Sequence, residues 1–175
     1  MNDMMLLVEP QIPALRRYAR ALMRDLVMAD DLVQDCLEKA VSYWSQRRQD
    51  GDVRTWLFSI LHNLAVNQMR QATRRGPHDS LEAADEATLA HPPTQEIPLL
   101  QRDIMKALAS LPEEQRSVLL LVSVEDLSYA QVARVLDIPL GTVMSRLARA
   151  REKLRETMNG DNVVRLDPST FRRSK

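Results

Sequence analysis

Cysteine occurs once in these 175 residues, at Cys36, so the chain cannot close an internal disulfide. Its three histidines, His62, His78 and His91, are scattered without the spacing of metal ligands, and no metal site is expected. Cys36 shares a helical spacing with Leu32, Val33, Leu37 and Ala40, which reads as a small buried hydrophobe. Glycine is rare, with four residues, and aromatics make up 4% of the chain, a composition that favours helices. No run of eighteen apolar residues occurs, and the opening MNDMMLLVEP has neither a basic leader nor a small-residue cleavage site. The expectation is a cytoplasmic protein with no direct membrane insertion. No nucleophile, metal or phosphate-loop constellation appears either, so an enzyme, a cofactor and a small-molecule substrate are not expected. Net charge is absent as well: 24 basic and 24 acidic side chains cancel, which is unusual for a protein that grips DNA strongly by itself.

The distribution of that charge divides the chain. Residues 1–75 carry 11 basic and 9 acidic groups, 76–98 carry no basic and 5 acidic groups, and 99–175 carry 13 and 10. The middle segment, GPHDSLEAADEATLAHPPTQEIP, is rich in proline, small residues and acids. It is too long and too weakly periodic to be a loop inside one compact unit. It reads as a flexible linker, with one or two helical turns possible over Leu81–Leu89 against a partner. Fully extended it spans on the order of 70 Å, at roughly 3.3 Å per residue. That reach sets two modules on sites about two duplex turns apart. The expected organisation is a helical domain over 1–75, the linker over 76–98, a second helical domain over 99–158 and a frayed tail over 159–175.

Three helical patterns fill the first block. One runs from about Ile12 to Arg24, with Leu15, Tyr18, Ala19 and Leu22 on one face. The next, from about Ala29 to Trp44, buries Leu32, Val33, Cys36, Leu37, Ala40, Val41 and Trp44. It leaves Asp31, Gln34, Asp35 and Glu38 as an exposed stripe. The third, from about Val53 to Arg74, buries Trp56, Leu57, Ile60, Leu61 and Leu64. Its opposite stripe is Ser59, His62, Asn63, Asn67, Arg70 and Arg74. The polar stretch SQRRQDGD between the last two is an ordinary connection or a loop able to hold an extruded base.

In the second block an amphipathic helix spans Leu99–Ala109. Another follows Pro112, with Glu113 and Glu114 complementing its dipole and Val118, Leu119, Leu121 and Val122 buried. Ser128 can then cap a short helix whose Val132, Val135 and Leu136 share a face. Asp137, Ile138 and Pro139 stop it, and a new helix starts near Leu140–Thr142. This is helix-turn-helix spacing. On the last helix Val143, Leu147, Ala150 and Leu154 face the core, and Ser145, Arg149 and Glu152 face out. Thr142, Arg146 and Lys153 flank that outer face, where they can reach phosphates. Arg149 is placed to grip the O6/N7 edge of guanine. A solvated amphipathic helix would show much of the same pattern.

The segments ADDLVQDCLEKAV (29–41), VRTWLFSILHNLAVNQMRQATRR (53–75) and ALASLPEEQRSVLLLVSVEDLSYAQVARVLDIPLGTVMSRLARAREKLR (107–155) settle which pattern applies. Together, and in this order, they resemble a bacterial sigma-70-family RNA polymerase sigma factor of the extracytoplasmic-function (ECF, group IV) subfamily. The resemblance implies an all-α fold, with a sigma-2 helical bundle and a sigma-4 four-helix domain carrying the helix-turn-helix, joined by the acidic linker. It implies that the chain binds core RNA polymerase and directs it to promoter DNA. Asp31, Leu32, Gln34, Asp35 and Glu38 would dock on the clamp of the largest polymerase subunit. Asn63 and Asn67 would contact the minus-ten element, with Arg70, Arg74 and Arg75 neutralising phosphates. The 45–52 loop would accept a flipped base, whose capture offsets the cost of opening the duplex. For the minus-thirty-five element, Ser145 and Arg149 would read bases, with Thr142, Arg146 and Arg151 on or near phosphates. Met144 stands where many relatives have a basic residue; it can meet a thymine methyl but cannot grip guanine.

The resemblance also implies a cognate anti-sigma factor that wraps between the domains and masks their polymerase-binding faces, as part of a stress response. An alternative is a sigma-like decoy that sequesters an anti-sigma factor without activating transcription. Such decoys usually carry a receiver domain, for which 175 residues leave no room, and degenerate promoter-reading residues. Asn67, Arg146 and Arg149 remain suited to DNA. A free-standing DNA-binding regulator would leave residues 29–75 unexplained.

Overall fold

The computed structural model describes residues 2–48, 51–75 and 99–163. Helices α1 (Asn2–Val8), α2 (Ile12–Met23), α3 (Leu26–Ser42) and α4 (Val53–Arg75) form the first half. Helices α5 (Leu99–Ser110), α6 (Glu113–Ser123), α7 (Tyr129–Leu136) and α8 (Leu140–Val163) form the second. Among the described residues there is no strand. The linker expected over 76–98, including the helical turns at Leu81–Leu89, lies outside the described residues, as do 164–175. α8 continues to Val163, past the expected start of the tail at Asn159.

Local chemistry accounts for most helix ends. Pro13 sits in the first turn of α2, where its missing amide costs nothing, and Arg24 closes that helix at φ 62°. Asp25 then caps α3 by accepting from the Met28 amide at 2.9 Å, so α3 starts at Leu26, ahead of the Ala29 that periodicity suggests. Asp52, just before α4, accepts from the Arg54 amide at 3.0 Å and the Thr55 hydroxyl at 2.5 Å. Ser128 and Gln131 cap α7 reciprocally, each side chain bonding the other's backbone. Asp137 ends α7 in the left-handed region at φ 52°, which a short polar side chain tolerates. Pro139 follows, and its carbonyl accepts from the Thr142 and Val143 amides as α8 begins.

In the first half α2, α3 and α4 pack on one another around Leu15, Tyr18, Ala19, Leu22, Ala29, Leu32, Val33, Cys36, Leu57, Phe58 and Leu61. Tyr18 and Phe58 meet edge to face at 5.5 Å. Cys36 is fully buried, its thiol bonds the Leu57 carbonyl at 3.6 Å, and burial pushes its pKa up to about 12. In the second half α6 and α7 pack on α8 through Val118, Leu121, Val132, Val135, Val143, Leu147 and Ala150.

Two expectations about faces need correction. Val41 is 58% exposed, and Trp44 lies beyond α3 in a 3-10 turn, where it packs against Trp56 at 6.0 Å. His62, expected on the outer stripe of α4, is 8% exposed, with Nδ1 3.0 Å from the Tyr18 hydroxyl. Its burial follows from a larger fact: the two halves are docked, α7 against α4 and α6 against α2. The same docking buries α6 on nearly every side, so that Arg116, Ser117, Val118, Leu119, Leu120 and Leu121 are all below 9% exposure.

Candidate nucleic-acid and polymerase interfaces

On α3, Asp31, Gln34, Asp35 and Glu38 are exposed along one face, opposite Leu32, Val33, Cys36 and Ala40. Gln34 donates to Glu38 at 3.1 Å, while Asp30 beside them is taken by Arg20 at 3.0 Å. Asp31 and Asp35 have no ion pair among the described residues, so the stripe keeps charges open to a basic or amide-rich partner. Leu32 does not belong with it. At 2% exposure it lies in the core beneath the stripe, because the residue following Asp31 is rotated by about 100° toward α2 and α4.

On α4, Asn63, Asn67, Arg70 and Arg74 are exposed and recur at intervals of four, three and four residues, which places them along one side. The Arg75 side chain lies outside the described residues. Asn63, Asn67 and Arg70 form one wall of a cleft of about 320 Å³ whose other wall holds Glu113, Glu114 and Arg146. A neighbouring cleft of about 580 Å³ sets Arg70 and Arg74 opposite the same two glutamates. Amides and guanidinium groups in this array can bond base edges and phosphates, but here they face carboxylates.

The helix-turn-helix presents its second helix as expected. Val143, Leu147 and Ala150 are buried, and Met144, Ser145, Arg149 and Arg151 are exposed. Met144 stands 48% exposed at the edge of the outer face. The Ser145 hydroxyl bonds back to the Thr142 carbonyl at 3.1 Å, and Thr142 is half-buried. Arg146 departs from the expected arrangement. It turns from the outer face toward α6, and its guanidinium pairs with Glu114 at 3.0 Å.

Several charged residues in the seam between the halves carry no signal in the sequence. Glu125 looks like an ordinary turn acid, yet its side chain has no solvent exposure. Arg17 holds it with two bonds, at 2.9 and 2.7 Å, across 108 residues of chain. The hydrogen bond to Glu125 raises the Arg17 pKa, outweighing partial burial. Arg54 reaches the Glu125 carbonyl at 2.7 Å, and Arg116 reaches the Leu22 carbonyl at 3.1 Å. Burial, followed by the nearby charge of Arg24, lowers the Arg116 pKa.

Residues 8–62 match the family model described as the sigma2 domain of PhyR, and residues 101–154 match that of sigma-70, region 4. The chain is 32% identical over 157 residues to the ECF RNA polymerase sigma factor EcfG of Rhodopseudomonas palustris, covering 90% of this chain and 86% of that one. The chain belongs to the ECF sigma factors. Among solved structures, this ECF sigma factor is similar to the sigma factor RpoE in complex with the anti-sigma factor NepR from Bartonella quintana. The TM-score is 0.77 at 31% identity, covering 91% of this chain and 98% of that one. A likeness to the PhyRSL–NepR complex from Sphingomonas sp. Fr1, with a TM-score of 0.64 at 21% identity over 87% of each chain, extends to the fold alone. Among the described residues no helix is long and apolar enough to cross a membrane.

Proposed function

We infer that this ECF sigma factor binds core RNA polymerase through α3 and carries it to promoters that α4 and α8 read. The observation that carries the reading is the 32% identity with EcfG over 90% of this chain, which brings both reading helices into one relative. Residues 1–75 act as the sigma-2 domain and 99–158 as the sigma-4 domain, with 76–98 connecting them. Asp31, Gln34, Asp35 and Glu38 dock on the polymerase. Asn63 and Asn67 contact the minus-ten element, supported on phosphates by Arg70, Arg74 and Arg75. Met144, Ser145 and Arg149 face the minus-thirty-five bases, with Thr142, Arg146 and Arg151 toward phosphates. The polymerase performs the nucleotidyl transfer, so this chain needs no catalytic group, and it works in the cytoplasm with polymerase and DNA. Its balanced charge suits a factor whose promoter affinity comes from the assembled holoenzyme. The similarity to RpoE, solved with NepR, supports control by an anti-sigma factor.

Run-off transcription with purified core polymerase on genomic fragments tests the reading, and promoter-specific transcripts are expected. A chain that captures an anti-sigma factor yet gives no transcript would be a decoy instead.

A further inference from the structure

We propose that Glu125, gripped by arginines of the other half, is the latch of a closed state that this sigma factor adopts by itself and that cannot read a promoter. Glu125 lies in the turn between α6 and α7, and its carboxylate is without solvent exposure. Each charge partner comes from the first half: Arg17 on α2, at 2.9 and 2.7 Å, and Arg54 on α4, at 3.4 Å. Arg54 is itself steadied by Gln11 at 2.7 Å. A carboxylate removed from water is tolerated only when paired, and the second half alone offers Glu125 no such pair among the described residues. Hydrogen bonds between a charged and a neutral group extend the seam. Arg116 of α6 donates to the Leu22 carbonyl at 3.1 Å, Arg24 donates to the Ala109 carbonyl, and Gln131 of α7 donates to Asp52 at 2.8 Å.

Closure has a direct consequence for DNA, which rests on the sigma-factor reading, whereas the latch does not. Asn63, Asn67 and Arg70 share one cleft with Arg146, and Glu113 and Glu114 stand across from them. The two promoter elements are named for positions about 25 base pairs apart, roughly 85 Å at 3.4 Å per pair. Helices lining one cleft cannot reach both. A strand approaching α4 meets two carboxylates, and Arg146 is already neutralised by one of them. Opening the latch therefore separates the reading helices, removes the acids from the face of α4 and exposes the Glu125 carboxylate to water. An inhibitor that binds across both halves selects a state already populated, while polymerase must draw on the open one.

The test is single-molecule energy transfer on the full chain, with dyes on cysteines introduced at the exposed positions Ser45 and Glu156, Cys36 being buried. The otherwise wild-type chain should give mainly one high-transfer population. Glu125→Gln, which loses the charge facing both arginines, should raise the open-to-closed ratio roughly a hundredfold. Arg17→Ala should raise it about tenfold, since its side chain is 52% exposed and partly screened. Because Arg17 is at the surface, its variant reports on the latch even if Glu125→Gln fails to fold. A low-transfer wild type, or an Arg17→Ala distribution superposable on wild type, would overturn the latch. Run-off transcription with the wild-type, Glu125→Gln and Arg17→Ala chains, without the introduced cysteines, separates the two ideas: no transcript from any of them would sink the sigma-factor reading and leave the latch result standing.

Discussion

Replacing His62 with Gln should flatten the dependence of stability on pH between about pH 4 and pH 6.5. His62 is 8% exposed within α4, and burial pushes its pKa down from 6.5 to about 4. The folded value lies below the unfolded one, so the unfolded chain binds the proton first as pH falls. The stability tied to the neutral ring is therefore complete above the unfolded pKa and drains away as pH drops from 6.5 toward 4. A displacement of ~2.5 units amounts to about 3 kcal/mol, at 1.36 kcal/mol per unit. Gln keeps an acceptor for the Tyr18 hydroxyl, which now bonds Nδ1 at 3.0 Å, and cannot titrate. Urea unfolding, followed by circular dichroism at several values between about pH 7.5 and 4.5, compares the two proteins. Carboxylates titrate equally in both, so the difference between the curves isolates the imidazole. Wild type should lose about 3 kcal/mol more than the variant, most of it by pH 4.5. Parallel curves would refute the claim that burial holds His62 neutral.

Arg149→Ala should cost about 1 to 3 kcal/mol of discrimination between promoter and altered minus-thirty-five sequences when holoenzyme binding is measured. Equal weakening on every sequence would make Arg149 a phosphate contact. Asp35→Arg reverses an exposed charge in the centre of the α3 stripe and should weaken capture of core polymerase in a pull-down with unchanged helicity; undiminished capture would count against that face. Ser128→Ala removes one side of the capping box on α7 and should lower unfolding stability by about 1 kcal/mol, read from the denaturant midpoint. No change there would mean that packing of Val132 and Val135 alone sets the start of the helix.

Much of the architecture is legible in the sequence. Ser128, Asp137 and Pro139 mark the helix-turn-helix through capping, a left-handed stop and a missing amide, all acting within a few residues. The inward set Val143, Leu147 and Ala150 and the outward stripe Asp31, Gln34, Asp35 and Glu38 follow from a turn of 3.6 residues. The chain order of the two motif blocks was enough to indicate the family. The sequence and the structure differ at particular faces, in both directions. Helical periodicity carried through Trp44 puts Val41 in the core, where the structure leaves it exposed, and a single buried face on α4 puts His62 at the surface, where the docked second half covers it. For Leu32 periodicity alone gives the right answer, inside, and only the family resemblance puts it in the docking set.

The sequence by itself determined the helix-turn-helix and its stops, the inward set of α8, the exposed stripe of α3 and the family the chain joins, because capping and periodicity act over a few residues. Only the tertiary structure decided that α7 covers α4, that Arg146 turns to Glu114, and that Glu125 is sealed under Arg17 and Arg54. The physical reason is that burial and pairing belong to surfaces brought together across the whole chain. The Arg17–Glu125 pair closes over 108 residues, a separation at which neither residue's neighbours carry any trace of the other.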